Sequence, residues 1–536
     1  MPRDRIEHIA WVRAQLKLQL SDAAGAEATA GAKDAARYVI ASVVDPRQWY
    51  PLACMRRILT LFLPNVTQRP GREMLPRGRW FFASLDNDGQ PHPLELADAA
   101  CKELGSLDRI FPYGREGRAY SAALVAEEVK GHEACVLRVG FVRVPEAEAS
   151  GPRRSWAARL AAHMADGYLT ALYALLSRCH KHDGSHILLM SETKSRIDGN
   201  LLALDQRLGE RELIERYAVT RFFQETLALP RLALLKAWSQ LVVVLAKQDY
   251  VFIDDYAPIF KLIKPNKRTR LIQVWHAGVG FKAVGYARFG KPGSPDALAS
   301  GHRRYDYVIV GSTPLIPVYQ EVFALPEERF LPLGLPRIDS FLADNAAREA
   351  EDDLLARHPE FEGKRRILFA PTYRGTGQAE AFYPADALDL KEIFEFCGDN
   401  TVFLVKLHPF IKDALTIPAD YAGRIFDVSS EDLKGLLPCA DALVTDYSSI
   451  IYEYSLLDRP MYFFAFDLEE YQGERGFHWD YEQIAPGTVC RTLDDLLAAL
   501  QAKDGSRDKR AVFRVLGFDH LDAHNTDRLI DTILKP

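Results

Sequence analysis

From about residue 165 onward, the chain alternates apolar runs, which are typical of buried strands, with segments of helical periodicity such as 232–247. This alternation builds a parallel sheet that is covered by helices on both faces. In the first half of this region the predicted strands lie at 186–192, 249–256, 270–278 and 305–312. The pattern therefore predicts one α/β lobe of the Rossmann type.

A second α/β lobe is predicted beyond the segment 330–341, FLPLGLPRIDSF, whose prolines and glycine indicate a hinge. The alternation resumes there, with predicted strands at 365–374, 401–410, 424–430, 440–449 and 460–467. Two such lobes that face each other across a cleft bind ligands at the carboxyl ends of their strands, where loops and helix N-termini meet.

The first 165 residues follow a different pattern, with strand-like pieces at 80–85 and 135–144 between turns rich in glycine and proline. We expect an accessory domain there that contains β-strands. Near its start, apolar residues recur at helical spacing and favour a packed amphipathic helix over a helix on a membrane surface. These residues are Ile6, Ile9, Leu16 and Leu20. The predicted divisions are 1–165 for the accessory domain, 166–340 for the N-terminal lobe and 341–536 for the C-terminal lobe.

Composition narrows the class of protein. A chain of 536 residues exceeds what one hydrophobic core supports, and its net charge of -6 argues against a nucleic-acid-binding protein. The seven cysteines lack CxxC spacing, and no apolar run approaches the ~20 residues that a spanning helix needs. We expect a cytoplasmic protein without a cofactor, and without a catalytic metal because no histidine cluster or carboxylate pair has clear metal spacing.

His276 follows the apolar run that ends at Trp275 in QVWHAGVGFK, and Gly278 and Gly280 allow backbone N–H groups to approach a ligand. An imidazole titrates near neutrality, so His276 is a candidate general base. The alternative is a buried histidine that bonds a carbonyl group, which is the commoner situation for a single histidine after a strand.

Several basic side chains lie near the ends of predicted strands. Lys406 and His408 are two residues apart, so on a strand they point to the same side, and such a cationic pair suits a pyrophosphate. Thr372 and Arg374 follow another strand in APTYRG, and the planar guanidinium of Arg337 lies in the hinge, within reach of a phosphate. For Thr372, Arg374 and Arg337, an ordinary surface role is the alternative.

The run VTDYSSIIYE predicts a strand at 442–446 and then a helix that Ser448 and Ser449 open. Hydroxyl groups and free N–H groups at a helix N-terminus form a phosphate site. Glu453, on the first or second turn, can accept hydrogen bonds from a ribose diol. Simple N-capping by Ser448, with Glu453 as a solvated charge, is the alternative.

Six motifs together resemble those of the CDP-glycerol:poly(glycerophosphate) glycerophosphotransferase family, the teichoic-acid and capsule polymerases. The resemblance covers about residues 185–500, and an ordered set of motifs is more specific than any single one. The motifs are WHAG at 275–278, GLPR at 334–337, APTYR at 370–374, KLHP at 406–409, LVTDYSSIIYEYSLLDRPMYFF at 443–464 and DLEEYQGERGF at 467–477.

The resemblance implies a GT-B fold, with the acceptor on the N-terminal lobe and the CDP donor on the C-terminal lobe. Glycerol phosphate would pass from CDP-glycerol to a hydroxyl group of a growing polymer, with CMP released. His276 is then the base, and His408 is counted with it as catalytic. The implied donor-binding residues are Lys406, His408, Ser448 and Ser449 for the diphosphate, Glu453 for the ribose, and Arg337, Pro371 and Thr372 at further positions.

Two departures from the family pattern leave the donor polyol open. WHAGVG stands where a WHGTP-like segment is usual, and Glu453 stands where Asp is common. A CDP-ribitol-dependent transferase is therefore one alternative, and a non-catalytic scaffold that binds CDP ligands is the alternative from another class. Such polymerases use a lipid-linked acceptor, so we expect peripheral contact with the inner face of the cell membrane. The basic segment 261–270, KLIKPNKRTR, is the candidate surface, with a solvated loop as an equal alternative.

Overall fold

Three β-sheets organise the part of the chain that the computed structural model describes. Within those residues, the N-terminal sheet has twelve strands and each of the other two has six parallel strands. The described residues are 4–21, 37–68, 73–113, 117–144, 156–226, 229–276, 280–291, 295–296, 300–375, 380–412 and 415–534.

The N-terminal sheet contains β1 (Arg5–Val12), β2 (Gln15–Leu20), β3 (Tyr38–Ser42), β4 (Trp49–Pro51), β5 (Ala53–Met55), β6 (Ile58–Phe62), β7 (Gly78–Leu85), β8 (Pro91–Pro93), β9 (Glu95–Leu96), β10 (Arg109–Pro112), β11 (Arg118–Val129) and β12 (His132–Arg143), with helix α1 (Asp98–Glu103) beside them. The main strand order is β4-β3-β7-β12-β9-β1-β2-β6-β5. Most pairs are antiparallel, and large aromatic residues such as Trp80, Phe82 and Tyr120 fill its core.

The helix predicted at the N-terminus is wrong, because this segment forms the antiparallel pair β1 and β2. Ile6, Ile9, Leu16 and Leu20 are all buried, as expected of a packed face. The pairing of β1 with β2 shifts register between Ile6 and His8, and such an irregularity inserts a residue into the two-residue alternation. Ile6 and Ile9 therefore both face the core although they are three residues apart, which imitates helical spacing.

The region of the second sheet contains, in chain order, α2 (Trp156–Cys179), β13 (His186–Ser191), α3 (Gly199–Glu210), β14 (Ala218–Phe223), α4 (Arg231–Leu245), β15 (Tyr250–Ile253), α5 (Ile259–Leu262), β16 (Arg270–Gln273), β17 (Tyr307–Ile309), α6 (Ile316–Phe323) and β18 (Phe330–Leu331). Its strand order is β14-β13-β15-β16-β17-β18, and every pair is parallel.

The region of the third sheet contains, in chain order, α7 (Asp339–Leu342), α8 (Ala346–Arg357), β19 (Arg365–Phe369), α9 (Leu390–Cys397), β20 (Thr401–Val405), β21 (Ile425–Asp427), α10 (Leu433–Leu436), β22 (Ala442–Thr445), α11 (Ile451–Ser455), β23 (Met461–Phe464), α12 (Leu468–Glu474), α13 (Tyr481–Ile484), β24 (Thr488–Cys490) and α14 (Leu493–Gln501). The strand order of this sheet is β21-β20-β19-β22-β23-β24, again with every pair parallel.

The predicted parallel α/β sheets are thus confirmed, and the strands read from apolar runs after residue 165 are all present in shorter form. The runs extend beyond the strands at their carboxyl ends, where buried loops continue. The candidate residues of the functional site therefore lie beyond the strands rather than within the sheet, most of them on loops and Glu453 on α11.

The C-terminal helices return to the earlier part of the chain. After α15 (Arg507–Gly517), α16 (Asn525–Ile533) packs its apolar side, including Leu529 and Ile530, into the core of the second sheet. Asp527 on α16 also pairs with Arg207 of α3 at 2.6 Å. The last helix therefore ties the end of the chain to the second sheet. Among the described helices, none combines the length and the apolar character needed to cross a membrane.

Candidate active site

His276 lies three residues beyond β16, at the carboxyl edge of the second sheet. Its Nδ1 lies 3.0 Å from the backbone carbonyl oxygen of Asp254 and 3.6 Å from Oδ1 of Asp255. Since the carbonyl only accepts, Nδ1–H donates to it, and Nε2 of the neutral ring keeps its lone pair. The side chain is 39% exposed. This imidazole is therefore oriented to take a proton from a group outside the protein.

The two carboxylates beside His276 differ in environment. The Asp254 carboxylate is buried and lies 2.7 Å from Nζ of Lys194; burial raises the pKa of Asp254, while Lys194 opposes the increase. Asp255 accepts hydrogen bonds from the Thr193 hydroxyl at 2.9 Å and the Tyr256 N–H at 2.6 Å. Asp255 is thus held with an oxygen near His276, where its charge stabilises a protonated imidazole.

Trp275, immediately before His276, has a φ of +48°, which is strained for a bulky residue. The amide of Asn200, on α3, donates to the backbone carbonyl of Trp275 and, at 3.0 Å, to that of Val274. Oδ1 of Asn200 accepts the backbone N–H of Arg337 at 2.9 Å. The buried Asn200 therefore fixes the strained loop and joins it to the segment after β18.

Arg337 connects the second sheet to the third. Its guanidinium donates to the backbone carbonyl of His276 and pairs with the Glu453 carboxylate on α11. Glu453 is buried, and burial raises its pKa while Arg337 opposes the increase. Both residues are thus engaged with protein partners that position the His276 loop.

Lys406 and His408 follow β20, as predicted. Nζ of Lys406 donates to the Ser429 carbonyl at 2.6 Å, and burial lowers the lysine pKa. Burial, with Lys282 and Lys406 nearby, lowers the pKa of His408 to about 4. Nδ1 of His408 accepts the Phe410 N–H at 3.2 Å, so the neutral ring carries its proton on Nε2. His408 is consequently a hydrogen-bond donor near neutral pH.

Three further cationic residues accompany this pair. Burial, together with Arg475 and Arg374, lowers the pKa of Lys282. The backbone of Lys282 pairs with that of Phe477 in an isolated antiparallel β-bridge. Arg475 donates to the Gly375 carbonyl at 2.8 Å. Within the described residues, Nε of Arg288 is buried without a hydrogen-bond partner, and burial with Arg475 lowers the pKa of Arg288. Destabilised cations of this kind favour an anionic ligand.

Thr372 and Arg374, on the loop after β19, belong to a network of hydrogen bonds and ion pairs. The N–H and hydroxyl groups of Thr372 donate to Asp446 at 2.8 and 2.7 Å. Arg374 lies 2.9 Å from Asp446 and 2.6 Å from Asp467. Its guanidinium also lies within 6 Å of four aromatic rings, those of Tyr383, Tyr447, Phe466 and Tyr471. Both side chains are therefore engaged inside the protein.

The remaining candidates lie on loops. Ser448 and Ser449 are half-buried before α11, where Oγ of Ser448 accepts the Ile450 N–H at 3.4 Å. Pro371 is buried. Gly280 has a φ of +120°, and a Cβ there would come within 2.5 Å of the Trp479 ring. Gly280 thus permits a close contact between the chain after β16 and the segment before α13. Gly278 lies outside the described residues.

The structure brings His276, Arg337 and Glu453 together and, separately, Lys406 with His408. It also adds residues that the sequence reasoning missed. Asp254 and Asp255 had a usable signal, because they follow β15 at the same edge as His276. The signal for Lys282 was weaker: it is the last residue of QVWHAGVGFK, the segment that contains His276. Nothing in the sequence indicates Asn200, since its role depends on where α3 packs.

Comparisons with known proteins show the family and the fold of this chain. The profile of the family described as CDP-glycerol:poly(glycerophosphate) glycerophosphotransferase matches residues 172–535. The wall teichoic acid polymerase TagF has a similar structure, with a TM-score of 0.56 and 21% identity over 71% of this chain and 96% of that chain. This likeness shows the fold.

Relatives among characterised proteins include both ribitol-phosphate and glycerol-phosphate enzymes. The teichoic acid ribitol-phosphate polymerase TarL of Staphylococcus aureus is 34% identical over 353 residues, 66% of this chain and 62% of that protein. The teichoic acid poly(ribitol-phosphate) polymerase of Bacillus spizizenii is 34% identical over 351 residues, 65% of this chain and 56% of that protein. The teichoic acid glycerol-phosphate primase of Bacillus spizizenii is 32% identical over 258 residues, 47% of this chain and 66% of that protein. The chain thus spans 56–66% of the length of these relatives.

Proposed function

This chain belongs to the CDP-glycerol:poly(glycerophosphate) glycerophosphotransferase family, and on that premise we propose that it transfers glycerol phosphate from CDP-glycerol to a hydroxyl group of a growing teichoic-acid-like or capsule-like polymer. CMP is the leaving group. The observation that carries the proposal is an imidazole with a free Nε2, oriented by Asp254 and Asp255, on a loop that Arg337 ties to the third sheet. A cationic cluster on and beside the third sheet complements it; its members are the buried Lys406 and the partly buried Lys282, Arg288 and Arg475.

In the proposed reaction, Nε2 of His276 takes the proton of the acceptor hydroxyl group. The acceptor oxygen then attacks the phosphorus that carries glycerol, and the bond from that phosphorus to the bridging oxygen breaks. The electron pair leaves with CMP. Lys282, Lys406 and the Nε2–H group of His408 stabilise the negative charge on the diphosphate, so catalysis consists mainly of positioning and charge stabilisation.

We assign the other candidates according to their contacts. Ser448 and Ser449 remain proposed partners of the donor phosphates, and Glu453 of the ribose. Arg337 also positions the His276 loop. Thr372 and Arg374 brace the loop after β19 rather than contact the donor, because Arg374 already has two carboxylate partners and Thr372 donates both its N–H and hydroxyl groups to Asp446. Pro371 is buried in the same loop.

The proposed architecture is a GT-B pair of lobes that face each other across a cleft, with the acceptor on the second sheet and the donor on the third. We keep the division at residues 165 and 340, with one addition: α16 crosses back and completes the N-terminal lobe. The likeness of fold to TagF and the contacts of Arg337 and Gly280 support this arrangement.

Ribitol phosphate is the second candidate for the transferred group. The observation that favours it is the 34% identity to ribitol-phosphate polymerases from two organisms over about two thirds of this chain. Both candidate donors share the CDP portion, so the cationic cluster suits either of them.

The deciding experiment supplies CDP-glycerol and CDP-ribitol separately to the purified chain, with and without a lipid-linked polyol-phosphate acceptor, and measures CMP. We expect CMP release that depends on the acceptor and is faster with CDP-glycerol. Faster CMP release with CDP-ribitol would identify CDP-ribitol as the donor instead. Binding of both donors without any CMP release would identify a non-catalytic scaffold and contradict the proposal.

Contact with a membrane is proposed to be peripheral and to use the basic segment 261–270. Its five basic side chains, Lys261, Lys264, Lys267, Arg268 and Arg270, are all exposed. The segment leads into the amino end of β16, whereas His276 follows the carboxyl end. The charges therefore suit an anionic membrane surface rather than a path for the polymer toward His276.

A further inference from the structure

A cluster of histidine and aspartate side chains lies at the amino edge of the second sheet, opposite to the edge that carries His276. The loop between α2 and β13 supplies His180, His182 and Asp183, the first residue of β13 is His186, and Asp249 comes from the turn before β15. The function proposed above uses none of these residues.

Three of them offer ligand atoms at nearly the spacing of a metal site. Nδ1 of His186 lies 3.7 Å from Oδ1 of Asp183 and 3.7 Å from Oδ2 of Asp249. One ligand atom from each of the three lies within 4.8 Å of the others. With zinc bonds of about 2.0–2.2 Å, neighbouring ligand atoms in a tetrahedron are about 3.4 Å apart. The two distances from His186 thus exceed that spacing by about 0.3 Å. The Ser185 hydroxyl, which lies 2.6 Å from Oδ1 of Asp183 and 3.1 Å from Nδ1 of His186, would rotate away to admit a metal ion.

His180 supplies an independent observation. Its ring centre lies 4.8 Å from that of His186 and 5.3 Å from that of His182. Among the described residues, Nε2 of His180 is buried and has no hydrogen-bond partner. A buried ring nitrogen without a partner is costly in a protein, and coordination to a metal would satisfy it.

The ligand geometry is supported by a second layer of hydrogen bonds. Oδ2 of Asp249 accepts the N–H groups of Gly184 at 3.0 Å and His186 at 3.1 Å, and Nδ1 of His182 lies 3.2 Å from Oδ1. His182 and Asp249 are only 2% and 4% exposed. Carboxylates at metal sites are commonly held by hydrogen bonds of this kind.

We propose that Asp183, His186 and Asp249 bind one divalent transition-metal ion, and that the adjacent His180 turns its ring to supply the fourth ligand. Zinc is the ion that this set of imidazole and carboxylate donors suits in tetrahedral geometry. The site joins the end of α2 to the start of β15 and lies at the far edge of the sheet from His276. Its role is to stabilise the second sheet, independently of the transfer reaction.

The test uses the full chain without a histidine tag, freed of metal by a chelator and then titrated with ZnCl₂, with metal content measured after desalting. We expect one zinc per chain and a Tm that rises when zinc is restored. His186→Gln, and separately Asp183→Asn, should weaken zinc binding at least 10-fold and remove the rise in Tm. His163→Gln, an exposed histidine on α2, is the matched control and should bind zinc as the wild type does.

Cobalt gives a second readout, because tetrahedral Co²⁺ with these ligands has visible absorption bands that should disappear in both ligand variants. Asp183 is 44% exposed, so Asp183→Asn is expected to fold even if His186→Gln does not. Zinc content well below one per chain at micromolar free zinc would overturn the proposal. Equal zinc affinity in wild type and Asp183→Asn would also overturn it.

Discussion

At the scale of single residues, buried polar groups hold the loop that carries His276. Asn200 is 1% exposed. Its amide N–H groups donate to the carbonyls of Val274 and Trp275, and its amide oxygen accepts the N–H group of Arg337. Because Trp275 has a positive φ, the loop needs such bonds to keep the orientation of His276.

Asn200→Ala should therefore lower turnover more than donor affinity, and should destabilise the fold by about 1–3 kcal/mol through the unsatisfied backbone groups. Steady-state kinetics, donor titration and urea unfolding measure the three quantities. Asn345→Ala, at an exposed position whose side chain makes no capping bond, is the control and should leave all three nearly unchanged. Unchanged turnover in Asn200→Ala would contradict the positioning role.

His408 predicts a dependence of stability on pH. Its pKa is about 4 in the folded chain, and an unfolded histidine has a pKa of about 6.5. Between these values the unfolded chain binds more protons, so the free energy of unfolding should decrease as pH falls from 6.5 to 4. His408→Gln should lose this part of the decrease, whereas His163→Gln should keep it. Urea unfolding at several pH values provides the measurement, and parallel curves for wild type and His408→Gln would contradict the lowered pKa.

At the scale of secondary-structure elements, the sequence predicts the parallel sheets well because their strands are buried on both faces and leave long apolar runs. The edge strands β14, β18 and β24 escape such prediction, because β18 and β24 have only two and three residues and β14 has no fully buried position. The N-terminal pair β1 and β2 escapes it because of a register shift. In the site, ionisable residues after strands, Arg374 included, could be named from the sequence. The carboxylate partners of Arg374 and the role of Asn200 could not, because only folding brings these groups together.

The basic segment 261–270 yields a prediction at this scale. Replacing Lys264, Lys267 and Arg268 by Glu should weaken binding to anionic vesicles at low salt, since each nearby basic residue contributes about 1 kcal/mol. Because this segment lies away from His276, transfer to a short soluble acceptor should remain unchanged. Co-sedimentation with vesicles rich in phosphatidylglycerol measures the first effect and CMP release the second. Vesicle binding equal to that of the wild type would remove this surface from the proposal.

At the scale of the whole molecule, the three sheets meet at one buried group of charges. Arg13, in the turn between β1 and β2, lies 2.6 Å from Glu321 on α6 and donates to the carbonyls of Phe477 and His478 at 3.1 and 3.2 Å. Burial favours a raised pKa for Glu321, but hydrogen bonds from His478 and Arg13 lower it. The N-terminal sheet thus contacts the loop beside Lys282.

Arg13→Ala would leave the Glu321 carboxylate buried beside His478 without its guanidinium partner. Loss of one partner of a buried pair costs about 3–5 kcal/mol, so the unfolding midpoint should fall clearly. Amide exchange in residues 474–479 should accelerate. Arg47→Ala, at a pair with an arginine 86% exposed, is the control and should have little effect. A normal midpoint and normal exchange in Arg13→Ala would show that the N-terminal sheet does not stabilise this loop.

We propose that the His276 loop acts on the acceptor, whereas the cationic cluster binds the donor. The most direct test measures CDP-glycerol affinity and acceptor-dependent CMP release in His276→Ala. We expect a donor affinity within a few-fold of that of the wild type and a rate of CMP release that is lowered by about 10²–10⁴-fold. Near-normal turnover, or lost donor affinity with an unchanged rate at saturating donor, would contradict it.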